Sequence, residues 1–460
     1  MEIAFKAPFF HCFLGFFSGS VHRRVELRQL TQHAAARVPI KRVCCARKVD
    51  WNFMPFEEVV EAEGHLIDSH VMEQIFDKVV ESHGRFEVEQ FRIGRTNGDP
   101  SYLRLRVETP TRQQMEHVLA QLLAIGCSPY ETGDAVLGLV ERDKCAPEDF
   151  YSTSNHHTSV RINSDFIDVQ NQRMDAMIVV TQGPDGIAAT CRRLRDLKAG
   201  DKVVTGMRGI RVRPESKERD RLAFAFMSNE ISSERQVETA VRQTAALARQ
   251  TREQGKTIVA VAGPVVVHTG GVAGLSRLIR GHWIDAVLSG NALGVHDIES
   301  ALFGTSLGIR LADGRQAEHG HRNHMRAINS IYHAGGIKGA VESGRLKSGV
   351  MYECVKQNIP FVLAGSLRDD GPLPETITDM NAAQDAYAAL LKPAGLVLCL
   401  GSMLHSIATG NMLPSWVKIV CVDINPAVAT KVSDRGTGQA VGVVTDVGQF
   451  LDLLSKELGE

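Results

Sequence analysis

The chain has 460 residues, too many for one compact core, so two or three domains are expected. Hydrophobic residues make up 43% and charged residues 23%, as in ordinary globular proteins, and a formal net charge of -1 removes the electrostatic case for nucleic acid as a partner. Nine cysteines without CxxC pairs or zinc-finger spacing exclude a disulfide scaffold and fit a reduced, cytoplasmic protein.

Residues 1–53 differ from the rest. The apolar cluster Phe9, Phe10, Phe13, Leu14, Phe16 and Phe17 precedes a basic, acid-poor tract from Arg23 to Lys48. It is too short to span a membrane, so no membrane partner is expected, and its flanks suit a signal peptide poorly. A disordered extension or a true start at Met54 is expected, with a targeting segment as the other reading.

From Phe56 the pattern becomes regular. A strand (Glu57 to Glu63), an amphipathic helix (Asp68 to Ser82) and a strand (Arg85 to Ile93) lead to a hairpin turn signal at Thr96 to Pro100. Leu103, Leu105 and Val107 alternate with Arg104, Arg106 and Glu108 as in a half-buried strand, and Thr111 is placed to cap a helix running to Ile125. The order βαββα predicts a small α+β sandwich over 54–145 with one wet sheet face. Residues 146–250 offer short strands at Ala176 to Thr181, Lys202 to Thr205 and Gly209 to Val212, then a long helix through Arg252. They are expected to form a β-rich subdomain ending in that helix.

Residues 251–460 alternate strands with helices. Thr257 to Val261, Ala286 to Leu288, Phe361 to Ala364, Leu396 to Leu400 and Lys418 to Val422 are continuous apolar runs suited to strands buried on both faces, which predicts a doubly wound parallel sheet. Small residues recur at the strand ends, at Gly263, Gly290, Gly365 and Gly401, where a ligand can approach backbone closely. The segment from Leu396 to Asn425 reads as strand, turn, helix, strand, acid. Asp423 then falls about 20 positions after the turn, where a carboxylate binds ribose hydroxyls and repels a 2′-phosphate, favouring NAD over NADP. The GxGxxG spacing is absent, and a simple turn or helix cap is the other reading of Asp423.

Polar residues gather near these ends. Arg368 can hold a carboxylate by two parallel hydrogen bonds, and Asp369 or Asp370 can bind an ammonium group or accept a proton. His319, His321 and His324 lie in one run, but no HExxH spacing or accompanying ligand is evident, so no metal is expected. His324 opens a helical pattern and is the favoured acid or base. Neither a Walker A sequence nor a GxSxG elbow is present, which disfavours phosphoryl and acyl transfer.

Phe56 to Cys127 resembles the conserved region of lysine-oxoglutarate reductase and saccharopine dehydrogenase, the LOR/SDH region. The remainder, through SNEISSERQVE, LSGNALGVHDIE, LAGSLRDDGPLPE, SMLHSIATGNMLPS and VCVDINPA, resembles the ornithine cyclodeaminase family that carries this region. It is also similar to the C-terminal part of the bifunctional arginine dihydrolase/ornithine cyclodeaminases, whose N-terminal guanidine-modifying domain is not seen here, so arginine dihydrolase activity is not expected. The resemblance implies an NAD site at Asn291, Ala292, Asp370, Ser402, Met403, Leu404, His405 and Asp423, leaving Arg368 for substrate and His324 and Asp369 for proton transfer. It further implies a deoxyhypusine synthase-like fold, a homo-oligomer such as a tetramer, and redox-neutral conversion of L-ornithine to L-proline and ammonia. Three readings stay beside it: an NAD-dependent dehydrogenase acting on lysine- or saccharopine-like substrates, an NAD-sensing regulatory protein without chemistry, and a catalytically silent scaffold.

Overall fold

The computed structural model describes residues 56–460 except 65, 68–70, 96–98, 100, 131–132, 185, 214–232, 312–314, 316–319, 370 and 435–439. The extension expected over 1–53, most of the Thr96 to Pro100 turn, and Asp370 lie outside the described residues.

The strands Arg85–Arg92, Ser101–Thr109, Phe56–Gly64 and Cys127–Pro129 form, in that spatial order, an antiparallel sheet. Strict alternation along Ser101–Thr109 sends Leu103, Leu105 and Val107 into a core with Ile75 and Val79 of the helix Val71–Glu81, and with Val118 and Leu122 of the helix Arg112–Ala124. Thr111 caps the second helix by accepting from the Gln114 N–H at 3.2 Å. The outer sheet face carries Tyr102 bonded to Glu61 at 2.9 Å and Arg106 paired with Glu89 at 2.6 Å, the wet face expected from the sequence.

A second sheet has seven strands in the order Ile210–Arg213, His157–Ile162, Asp165–Gln170, Gly186–Arg192, Met177–Gly183, Lys202–Thr205 and Val136–Leu139. Its three predicted strands are present, and Val136–Leu139, ahead of residue 146, closes one edge.

The C-terminal sheet is parallel throughout, in the order Thr376–Ile377, Phe361–Ala364, Ala286–Gly290, Thr257–Ala262, Ala394–Leu400, Lys418–Asp423, Ala440–Val444. All five predicted strands are found. Two were not anticipated, because Thr376–Ile377 has only two residues and Gly442 breaks the apolar run of Ala440–Val444. Alternation along Thr257–Ala262 sends Ile258 and Ala260 into one core and Val259 and Val261 into another, so apolar layers cover both faces. The helix Ser233–Glu253 contributes Val237, Ala240, Val241, Ala245 and Ala248 to the first layer. Tyr387 and Leu391 of the helix Met380–Leu391 contribute to the second. Sequence order reverses between Thr257–Ala262 and Ala394–Leu400, the position at which open α/β sheets hold ligands beyond the strands' carboxyl ends. Among the described residues no helix is long and apolar enough to cross a membrane.

Candidate active site

The two loops that leave the reversal point touch. A Cβ built on Gly263 would lie 2.1 Å from the Gly401 carbonyl oxygen, and Gly401 itself has φ +58, so glycine is required on both sides of this contact. Immediately beyond, Ser402 starts the helix Met403–Met412 with no side-chain bond to its first N–H groups. Those donors, with the positive end of the helix dipole, suit a pyrophosphate. Met403 is 45% and Leu404 73% exposed, apolar surface placed to meet a ligand rather than the core. Asp423 ends the neighbouring strand half-buried, its Oδ1 accepting from the Asn425 N–H at 2.8 Å to fix the turn.

His405 reaches across to the next strand end but one. Its Nε2 is 2.8 Å from where a Cβ on Gly290 would stand, so glycine leaves room for the ring. The buried Tyr387 hydroxyl donates to the Ser289 carbonyl at 2.7 Å and meets His405 Nδ1 at 3.1 Å. With its one proton given to Ser289, Tyr387 accepts from Nδ1–H, which leaves Nε2 as a lone-pair acceptor. Burial holds the His405 imidazole below its ordinary pKa and therefore neutral.

Asn291 opens the helix Asn291–Phe303 and is buried, its Oδ1 accepting from the Leu373 N–H and the Thr376 hydroxyl, both at 3.0 Å. It ties down the loop after Phe361–Ala364, and Ala292 beside it is half-buried. In that loop Asp369 accepts from the Ser366 N–H at 2.7 Å and its hydroxyl at 3.3 Å, while Ser366 Oγ accepts from the Arg368 N–H at 3.2 Å. Asp369 thus shapes the turn that presents Arg368. Arg368 is exposed, and its charge is felt by His296.

His296 belongs to a cluster that spacing alone did not reveal. Its Nδ1 is 2.9 Å from Ser306 Oγ, which also lies 3.1 Å from Nδ1 of His268. The rings of His268 and His296 are 5.0 Å apart, and those of His296 and His324 5.2 Å. Glu299, one turn after His296, is fully buried and accepts from the Thr305 hydroxyl at 2.7 Å, Gly308 N–H at 2.9 Å and Leu307 N–H at 3.0 Å. His324 Nδ1 stands 3.5 Å from Oε2, the oxygen that also accepts from Leu307, too far for a hydrogen bond, and is without one among the described residues. Burial would raise the Glu299 carboxyl, but the nearby His324 and the hydrogen bonds from the loop outweigh it and hold it below the usual carboxylate value. Burial, with the neighbouring His268 and His324, pushes His296 down to about 4. Burial lowers His268 as well.

His296, Glu299 and His324 offer donor atoms within 4.8 Å of one another. Both Glu299 oxygens already accept hydrogen bonds, so this set is better suited to holding protons than an ion. The signal available in the sequence was three ionisable side chains, His296, Asp297 and Glu299, set among apolar residues of one helix; Tyr387 and His268 gave none.

The LOR/SDH bifunctional enzyme conserved region matches residues 57–156. The first and Rossmann-fold regions of the C-terminal part of ArgZ-like arginine dihydrolases match 157–241 and 242–454. The ornithine cyclodeaminase of Methanocaldococcus jannaschii is 49% identical over 409 residues, 88% of this chain and 96% of that one. The chain belongs to this ornithine cyclodeaminase family. Among its bifunctional members, AgrE of Nostoc sp., an arginine dihydrolase/ornithine cyclodeaminase, is 49% identical over 405 residues, 87% of this chain but 58% of AgrE. AgrE has been solved in a ternary complex with ornithine and NAD+, with 47% identity over 88% of this chain and 59% of that chain, and a TM-score of 0.47. The crystal structure of apo ArgZ, a cyanobacterial arginine dihydrolase, superposes on this family member with a TM-score of 0.76 at 46% identity, covering 88% of this chain and 58% of that one.

Proposed function

We propose that the chain is a cytoplasmic NAD-dependent ornithine cyclodeaminase that converts L-ornithine to L-proline and ammonia. The observation that carries this reading is 49% identity to a named ornithine cyclodeaminase over 96% of that protein's length. The site's geometry agrees with it. Ser402, Met403 and Leu404 at the uncapped helix start, with Asp423 and the backbone at Asn291 and Ala292, would hold the cofactor at the reversal of strand order. NAD, when bound, supplies a reversible redox step at the substrate α-carbon, so that a reaction without net oxidation can exchange one nitrogen for another.

Arg368 clamps the substrate carboxylate by paired charge-assisted hydrogen bonds. Ring closure needs a proton removed from the δ-ammonium and one delivered to the departing α-nitrogen. His324 and His296 serve these transfers: His296 is neutral at pH 7 and able to accept, and Glu299 stabilises the imidazolium that forms on His324. His405 Nε2 adds an acceptor on the cofactor side, fixed by Tyr387. Exposed Leu367 and Ile424 around this sheet end suit cover by a second copy, so a homo-oligomer, up to a tetramer, is expected from light scattering.

The test is incubation of purified protein with L-ornithine and a trace of NAD+. Equal amounts of proline and ammonia with no lasting absorbance of NADH support the reading. Accumulating NADH without proline would replace it with a dehydrogenase, and NAD binding without any product with a sensor.

A further inference from the structure

A proton that His296 takes from the substrate has to be held until the departing nitrogen needs it, and His296 is a poor place to hold it. The side chain is buried, and burial with the neighbouring His268 and His324 pushes it down to about 4. Glu299 gives it no direct relief, since Oε2 stands 4.0 Å from His296 Nδ1, beyond hydrogen-bond reach, and accepts from Leu307 instead. What His296 Nδ1 does meet is the Ser306 hydroxyl at 2.9 Å, and the same oxygen lies 3.1 Å from Nδ1 of His268.

The fold holds this row in place. Ser306 is buried in the two-residue strand Thr305–Ser306, paired with Ile309–Arg310. Glu299 ties down the chain on both sides of it, through the Thr305 hydroxyl before and the Leu307 and Gly308 N–H groups after. His268 ends the helix Val265–His268, which follows directly on Gly263 and Pro264 of the crevice, and His296 lies in the second turn of Asn291–Phe303, which opens at the next strand end. Both helices start at the crevice. His296 and Ser306 are buried, whereas His268 is exposed.

A hydroxyl has one proton to give. With both imidazoles neutral, Ser306 donates to one Nδ1 and accepts from the other, so one of these nitrogens carries hydrogen and its counterpart a lone pair. When His296 Nδ1 carries the hydrogen, its Nε2 is a base; when Ser306 donates to it, Nε2 bears the hydrogen and is an acid.

We propose that Ser306 and His268 form a relay that carries the proton accepted by His296 out to the surface and returns it, an inference that rests on His296 as the acceptor in ornithine cyclisation. As an N–H bond of the substrate ammonium breaks, its proton bonds to His296 Nε2. The Nδ1 proton of His296 passes to Ser306 Oγ, and the proton already on that oxygen passes to His268 Nδ1. One proton enters the row and His268 gains one, with nothing oxidised or reduced; the reverse sequence delivers it to the departing nitrogen. His296 ends neutral, and the positive charge sits on His268, where water and the charge of Glu299 favour it. The groups whose charge bears on the two rings are the rings themselves, Glu299, His324 and Arg368. Ser306 and His268 act through His296 rather than on the substrate.

The test is turnover of the full chain at saturating L-ornithine and NAD+. His268→Ala should lower kcat about 100-fold, the low end of what a positioned proton-transfer group contributes, and leave KM unchanged. Substituted imidazoles added to this variant should restore the rate in the order of their basicity, which a ring that merely filled a hole would not do. Ser306→Ala should lose as much and gain nothing from imidazoles, because the link to His296 is gone, while Ser306→Thr, which keeps the hydroxyl, should recover part of the loss. Unchanged kcat in His268→Ala, or a loss that no imidazole restores, would overturn the relay. If Ser306→Ala does not fold, the exposed His268 carries the decision. If wild type makes no proline, the ornithine reading fails by itself, and the row is judged by nitrogen-15 NMR of the histidine rings in alkaline buffer, assigned with the single variants. One protonated Nδ1 between His268 and His296 then supports the relay, and two alike overturn it.

Discussion

Asp423 serves its own turn through Asn425 and remains half-exposed at a strand end, so this turn bond and the cofactor role proposed for it can be separated by substitution. Asp423→Asn keeps an acceptor for the turn and removes the charge. NAD affinity should fall about 10- to 100-fold, the loss of one charge-assisted bond to a ribose hydroxyl, and discrimination against NADP should narrow, both measured by titration. Tyr387→Phe removes the group that fixes His405. It leaves the buried Ser289 carbonyl and His405 Nδ1 without their partner, so a stability loss of about 1–3 kcal/mol is expected by denaturant unfolding, together with a displaced pH profile of turnover. The strand, turn, helix and strand that place Ser402 to His405 and Asp423 were legible in the sequence because they lie within one short segment. The partnership of His268, Ser306, His296 and Glu299 was not, since it joins side chains up to 38 positions apart and no short-range spacing encodes it. The bonds by which Asp369 holds its own loop were equally hidden, as a carboxylate at a strand end reads the same whether it meets substrate, its own turn or both.

The helix Asn291–Phe303 carries adjacent buried groups with opposite pH behaviour. Asp297 is fully buried and caps the helix Val350–Lys356 by accepting from the Val350 and Met351 N–H groups at 2.9 and 2.8 Å, yet burial outweighs these bonds and raises it to about 6. Between about pH 6 and its ordinary value of 3.8, the folded state binds this proton first, so stability rises as pH falls. His296, lowered to about 4 from 6.5, is protonated first in the unfolded chain, so over nearly the same window stability falls as pH falls. Each effect is at most about 3 kcal/mol, and the two oppose one another. His268 and His405, lowered by burial, and Glu299, held low by its surroundings, also lose stability toward acid, so wild type should lose unfolding free energy from pH 6.5 to 4, His296→Asn less of it and Asp297→Asn more. Gly263→Ala tests the crevice at this scale. The methyl would meet backbone rather than a movable side chain, so the two loops must part, at about 1–3 kcal/mol of stability and with loss of NAD binding.

At the scale of the whole molecule, the parallel domain was legible because strands buried on both faces are written as continuous apolar runs, and the first sandwich because alternation and the Thr111 cap are local. The short strand Thr376–Ile377 was hidden because its pairing is supplied by tertiary neighbours rather than by its own two residues. The reversal of strand order has a further consequence, for synthesis. The strands Thr257–Ala262 and Ala394–Leu400 are hydrogen-bonded neighbours at the centre of the sheet, yet 131 residues (263 to 393) separate them in the chain. A ribosome adding about 5–20 residues per second needs roughly 7–26 s to make that stretch, during which an apolar strand has no partner on one side. Nascent chains arrested before residue 394 should remain protease-sensitive over 257–393, and those released beyond 444 protected. The topology that builds the crevice thus also makes the protein dependent on whatever shields an unfinished sheet while translation proceeds.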